Sequence, residues 1–149
     1  MIGMAVTVAL HCAADAAAEI GALDVRILVV EDDPGVRSTA TRMLEFLGHT
    51  VVSTGGSDEA ERLPDDPPFD VVLTDLRLPG VRGPGLIERL RRRWPSLKAV
   101  IMSGDLDSDE VRAGALDGRW RLLPKPFNFN QLIAQLQGKD NPNDSSPLR

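Results

Sequence analysis

Apolar residues in this chain fall into short unbroken runs, separated by stretches in which they recur every three or four positions. Val25-Arg26-Ile27-Leu28-Val29-Val30 is a β-branched run of strand length with apolar residues on both faces, the pattern of a buried strand. Asp33-Pro34 then supplies an N-cap and a first-turn proline. Val36, Ala40, Met43, Leu44 and Leu47 follow at helical spacing, and Gly48 closes that helix. The same alternation predicts a strand over 50–53 and a helix over 57–63 that is stopped by Pro64 and the turn-rich 65–68. A strand over 70–74 precedes the loop at Pro79-Gly80 and a helix over 84–94, with Leu86, Ile87, Leu90 and Trp94 on one side. A fourth strand is predicted over 98–102, and Asp107-Ser108-Asp109-Glu110 has the form of a capping box before a short helix. A fifth strand over 119–123 leads to a last helix that starts at Asn128 or Asn130 and carries Leu132, Ile133 and Leu136. Five strands alternating with five helices imply a parallel sheet with right-handed crossovers, covered on both faces: a doubly wound α/β domain.

Composition sets limits on that domain. The chain has 149 residues, 42% hydrophobic and 26% charged, enough for one core of ordinary size. Residues 1–24 hold Asp15, Glu19 and Asp24 without a Lys or Arg, and 139–149 sum to zero. The expected organisation is therefore an N-terminal extension over 1–24, a folded domain over 25–138 and a disordered polar tail over 139–149. A net charge of -5 argues against a nucleic-acid-binding face. A single Cys excludes an intrachain disulfide and a Cys-rich zinc site. The body of the chain lacks an uncharged apolar run of membrane-spanning length. The Ala- and Val-rich start lacks a basic n-region and is interrupted by His11, Cys12 and Asp15, so it reads as an extension rather than an export signal, and the expected location is the cytoplasm. Cys12 has no ligand-like partner nearby and receives no role.

Ligands of such sheets bind beyond the carboxyl ends of the strands. Polar residues gather there: Glu31-Asp32-Asp33 after the first strand, Asp75 after the third, Ser103 after the fourth and Lys125 after the fifth. Each alone has a plain structural use, and helix capping suits Asp33 in particular. Together, several carboxylates at one rim repel by on the order of a few kcal/mol per close pair at an effective dielectric near 20, a cost that a cation would offset. Hard oxygen donors with no Cys or His nearby suit Mg²⁺, which keeps open positions for a phosphate oxygen. Lys125 is one of only three lysines, the others being Lys98 and Lys139, and with Ser103 it suits the remaining phosphoryl oxygens. These residues describe a magnesium-assisted phosphoryl site with a carboxylate at its centre.

Val29-Val30-Glu31-Asp32-Asp33-Pro34, Leu73-Thr74-Asp75-Leu76-Arg77-Leu78-Pro79-Gly80, Met102-Ser103-Gly104 and Pro124-Lys125-Pro126-Phe127 resemble, in order and spacing, the receiver domains of two-component response regulators. The likeness runs from about Val25 to Leu136 and is greatest to receivers of hybrid sensor kinases or their stand-alone copies. It implies the flavodoxin-like (βα)5 topology, with Asp75 as phosphoacceptor. Mg²⁺ would be held by Asp32 directly, by Glu31 through water, by Asp75 and by the backbone carbonyl of Arg77. Ser103 and Lys125 would hold the transferred phosphoryl group, and the Lys125–Pro126 bond would be cis. The phosphoryl group would come from a phosphohistidine on a histidine kinase or phosphotransfer protein. The domain's own chemistry would extend only to this transfer and a slow self-dephosphorylation. Arg77 and Asp105, two places after Asp75 and Ser103, would flank the path of the attacking water and could pair across it.

One position departs from the pattern. Many receivers carry an aromatic three places before the lysine, which turns inward as Ser or Thr engages the phosphoryl group. Here that position is Leu122, with Trp120 two residues earlier. Ser103 and Leu122 are thus the expected switch pair, with a weaker rotamer signal and no polar tip. The short flanks imply an output through contact with a downstream protein, with no direct part for DNA or membrane. Two other readings compete. A flavin-binding fold would want a Ser/Thr/Gly-rich loop after the first strand and stacking aromatics, and the chain has an acidic run there and no Tyr. A receiver-like interaction module without phosphate switching would not need the full acidic and basic set. Outside the site, Arg89, Arg91, Arg92 and Arg93 read as a solvated helix face with Trp94 tucked inward, and His49 as a surface loop residue.

Overall fold

The structure is a computed structural model, and it describes residues 25–105 and 108–137. The extension 1–24 with Cys12, the tail 139–149 and Asp107 of the expected capping box lie outside the described residues. Within them the order is β1 (Arg26–Val30), α1 (Pro34–Phe46), β2 (Thr50–Thr54), α2 (Ser57–Glu61), β3 (Val71–Asp75), α3 (Gly83–Arg93), β4 (Lys98–Ser103), α4 (Asp109–Leu116), β5 (Arg121–Pro124) and α5 (Phe129–Gln137). All strand pairs are parallel, in the order β2-β1-β3-β4-β5. The doubly wound five-stranded sheet expected from the alternation is the one observed.

Successive strand residues face opposite ways, so each strand divides its apolar residues between two cores. Ile27, Val29, Val71, Leu73, Val100, Met102 and Leu123 pack with Ala40, Leu44, Leu132 and Leu136 of α1 and α5. Leu28, Val30, Val72 and Ile101 pack with Ala60, Leu86, Ile87, Leu90 and Val111 of α2, α3 and α4. This two-sided burial explains why the strands read as continuous apolar runs rather than as alternating ones.

The helix ends are closed in different ways. Asp33 caps α1 as expected, its Oδ1 accepting from the amides of Gly35 at 2.8 Å and Val36 at 3.1 Å, and Gly48 turns the chain with φ 92°. The N-cap of α4 is Ser108, whose own side chain makes no capping bond. A reciprocal box opens α5, where Asn128 Oδ1 accepts from the Gln131 amide and Gln131 Oε1 accepts from the Asn128 amide, both at 2.8 Å. β5 begins two residues later than predicted. The Arg119 amide is still bonded to Gly114 O at 2.8 Å, and Gly118 takes φ 74° to end α4.

One surface expectation fails and another holds only in part. His49 is only 8% exposed, because it lies between the end of α1 and the start of β2, with its amide bonded to Leu44 O. The arginine run on α3 is not simply solvated. Arg89 pairs with Glu61 at 3.2 Å and Arg93 with Asp65 at 2.6 Å. Arg93 also donates to the carbonyls of Glu61 and Leu63, and Arg91 Nε donates to Leu97 O at 3.0 Å. Trp94 is buried as expected, and its Nε1 donates to Asp65 O at 2.9 Å. Arg89, Arg93 and Trp94 fasten the end of α2 and the segment after it, poor in regular structure, onto α3. Among the described residues no helix is long and apolar enough to cross a membrane.

Candidate functional site

The strand order reverses at β1: the chain steps outward to β2, then returns past β1 to β3. A reversal of this kind opens a crevice at the carboxyl ends of the two central strands. Glu31 and Asp32 leave β1 there, and Asp75 is the last residue of β3, beside β1 in register. One carboxylate oxygen from each of Glu31, Asp32 and Asp75 lies within 4.8 Å of the others. Glu31 is 1% exposed, Asp75 half-buried and Asp32 open to solvent, so the cluster grades from the protein interior to water.

Lys125 arrives from the far end of β5 and closes the cluster. Its Nζ lies 2.6 Å from Glu31 Oε2 and 3.2 Å from Asp75 Oδ2. Burial pushes the Glu31 carboxyl above its ordinary value, and the charge of Asp75 adds to this. The hydrogen bonds from Lys125 and the Asp33 amide pull the other way without cancelling it. Burial alone would lower the Lys125 ammonium, but the bond to Glu31 and the charges of Asp75 and Glu31 outweigh it and hold it above the ordinary lysine value. The bond between Lys125 and Pro126 is cis, as the resemblance implied.

Of the remaining predicted residues, Arg77 contacts this centre directly. Ser103 ends β4 and is buried; its Oγ donates to Asp105 O at 2.9 Å and accepts from the Asp105 amide at 3.0 Å. Arg77 follows β3, its amide donating to Asp75 Oδ1 at 3.4 Å and its guanidinium reaching Asp105 at 3.5 Å. The pairing of Arg77 with Asp105 is therefore present, with both side chains well exposed. Leu122 is half-buried against the core on the α4 side. Trp120 is 4% exposed, its Nε1 donating to Val111 O at 3.0 Å, and it rests on Gly114, where a Cβ would fall 1.9 Å from the ring. That aromatic is anchored in α4.

Two supports escape a reading by motif. A Cβ on Gly83 would come 2.7 Å from the backbone oxygen of Asp75, so the turn that brings α3 back under the β3 end requires glycine. The Gly-Pro-Gly at 83–85 marks the helix start, but the close approach depends on the fold. Arg37, on the first turns of α1, donates to Glu31 O at 2.9 Å and steadies the strand end from which the carboxylate projects.

The three carboxylates present only hard oxygen donors, and Lys125 offsets part of their charge. This donor set fits a magnesium ion and does not suit zinc or copper. Fold and site together define a doubly wound domain with an acidic crevice at the switch point and a lysine poised over it. The sequence model of the response regulator receiver domain matches residues 27–137, and the chain belongs to that family of signalling domains. It is 32% identical to the DNA-binding transcriptional regulator NtrC of Azospirillum brasilense over 117 residues, which cover 78% of this chain and 24% of that protein. It is equally identical to the sensor kinase CckA of Brucella abortus (strain 2308), over 74% of this chain and 12% of that one. The chain thus spans about a quarter or less of the length of these curated relatives. Among solved structures, the non-phosphorylated HemR receiver domain of Leptospira biflexa superposes with a TM-score of 0.67 at 30% identity, covering 79% of this chain and 98% of that one.

Proposed function

We propose that this receiver domain accepts a phosphoryl group on Asp75 from the phosphohistidine of a histidine kinase or phosphotransfer protein in the cytoplasm, and passes the signal on by contact with another protein. The observation that carries this reading is the convergence of Glu31, Asp32 and Asp75 within 4.8 Å under the ammonium of Lys125. Such a cluster is costly to assemble unless it serves to gather positive charge around an incoming anion.

Glu31, Asp32, Asp75 and the Arg77 carbonyl would hold Mg²⁺. When bound, the ion neutralises charge on the phosphoryl oxygens. One carboxylate oxygen of Asp75 forms the new bond to phosphorus as the bond from phosphorus to the donor imidazole nitrogen breaks, and the donor ring, already protonated on its other nitrogen, leaves as neutral imidazole. Lys125 transfers its contact from Asp75 Oδ2 to a phosphoryl oxygen, and Ser103 turns its hydroxyl from Asp105 O to another. The transfer needs in-line geometry and charge neutralisation more than covalent machinery, which these two side chains supply. The Arg77–Asp105 pair stands over the approach to Asp75 and slows attack by water on the product. Beside Lys125, an open, mainly apolar cavity of about 470 Å³ lined by Val36, Thr39, Pro126 and Phe127 offers the donor protein a surface to seat on. Leu122, facing the α4 side, is the side chain that responds when Ser103 moves.

Incubation with a small phosphodonor and Mg²⁺, followed by intact mass, tests the reading. The protein should gain one phosphoryl group that is lost at alkaline pH. Equal labelling of Asp75→Ala would overturn the assignment, and an unlabelled wild type would favour an interaction module that is not switched by phosphate.

A further inference from the structure

At the opposite end of the sheet, where β4 and β5 begin, lies a second cavity of about 250 Å³. Arg91, Lys98, Arg119 and Arg121 line it, with Gln135 and Gln137 of α5 across from them. Lys98 and Arg121 are the first residues of β4 and β5, and Val71, the register partner of Lys98, starts β3. Asp75 is four residues further along β3, about 13 Å away at the usual rise per residue. The two sites are therefore separate.

Four cations converge here in a chain whose net charge is -5. No carboxylate is among the described residues lining the cavity. Asp117 reaches only Arg119, at 3.7 Å. Arg91 spends its Nε on Leu97 O at 3.0 Å, which leaves the two terminal nitrogens of its guanidinium. Burial lowers its pKa, and the charge of the neighbouring Arg119 adds to this. The arrangement mirrors the acidic crevice, except that the crevice has Lys125 built in and this cavity has no acid among its described lining.

We propose that this cavity binds a compact multivalent oxyanion, a ligand bearing two or more phosphate or carboxylate groups. Guanidinium groups match both anions with paired N–H donors, and the glutamine amides supply neutral donors for oxygens that the cations do not reach. The size and concavity of the site favour a small ligand over a peptide.

Calorimetric titration of the full chain in magnesium-free Hepes buffer tests this, using inorganic pyrophosphate, citrate and acetate. Pyrophosphate should bind one to one, with roughly tenfold weakening between low and physiological salt, as expected where exposed charges dominate. Acetate should bind at least tenfold more weakly, and the order of pyrophosphate and citrate tells phosphate from carboxylate selectivity. Lys98 and Arg121 are exposed, so the Lys98→Gln, Arg121→Gln double variant should fold, label normally on Asp75 and bind pyrophosphate at least tenfold more weakly. Asp75→Ala should keep wild-type affinity. Absence of pyrophosphate binding would overturn the proposal. So would binding that survives in the double variant, or binding that depends on Asp75, which would place the anion in the acidic crevice.

Discussion

The two ends of this sheet are built from opposite charges and handle them differently. At the carboxyl end, Glu31, Asp32 and Asp75 crowd together, and the chain supplies Lys125 to bridge two of them. At the amino end, Arg91, Lys98, Arg119 and Arg121 share a cavity with no acid among its described lining. Part of the difference follows from burial. Glu31 is enclosed and an enclosed charge needs a partner, whereas Lys98 and Arg121 reach solvent, where screening makes an uncompensated cation tolerable. A counter-charge within the chain lets the carboxylates stand close together, with Lys125 bridging Glu31 and Asp75. The described lining of the basic cavity offers no such counter-charge.

Substitutions at each end put this contrast at risk. The largest effect belongs to the acidic end. Asp75→Ala should abolish labelling, and Lys125→Ala should slow it about 10²-fold or more, the typical loss when a preorganised donor to a reacting oxygen is removed. Arg121→Gln, at the other end, should label like wild type. Rates from intact mass over time decide, and a slow Arg121→Gln would show that the two ends are not independent.

Next comes the packing beside the basic cavity. Gly114→Ala places a Cβ against the Trp120 ring, which must shift, and overpacking of this kind costs about 1–3 kcal/mol. Urea unfolding followed by tryptophan fluorescence should show that loss. Asp75 labelling of the folded variant should stay normal.

Magnesium should act at the acidic end alone. At ten times its dissociation constant it should stabilise wild type by about 1.4 kcal/mol, which removal of the ion by a chelator reverses. Asp32→Ala should lose this response, while the Lys98→Gln, Arg121→Gln variant keeps it. A magnesium response undiminished in Asp32→Ala would remove Asp32 from the ligand set.

The smallest effect is expected at the Arg77–Asp105 pair. Both side chains are well exposed, so the contact is worth less than about 1 kcal/mol. Arg77→Ala should speed phosphate release by no more than about fivefold, measured as decay of the labelled mass after donor removal. Unchanged decay would leave the pair without a protective role.

The acidic end is legible in the sequence because each of its residues sits at the end of an apolar run. Once Val25–Val30 and the run ending at Thr74 are read as parallel strands, Glu31, Asp32 and Asp75 must share a rim. The basic end is not legible there. Arg91 comes from the end of a helix, Lys98 from a strand start, Arg119 and Arg121 from either side of another strand start, and none carries a motif. In sequence, Arg89–Arg93 has the look of a solvated stripe. Its destinations, Glu61, Asp65 and the carbonyls of Glu61 and Leu63, appear only when α3 lies against the end of α2 and the segment after it. The burial of His49 and the capping box at Asn128 escape for a similar reason, since both depend on how a helix end meets its neighbour.

Local order along the chain thus determined the number and kind of elements, the doubly wound class and the membership of the acidic rim. Apolar periodicity and strand-end position are short-range properties, and a parallel sheet turns them directly into a common face and a common edge. Tertiary structure alone decided that Lys125 bridges Glu31 and Asp75, that Gly83 must lack a side chain, that Trp120 is held by α4, and that four scattered cations meet in one cavity. Each of these depends on distances between residues far apart in sequence, set by strand order and helix packing rather than by any local pattern.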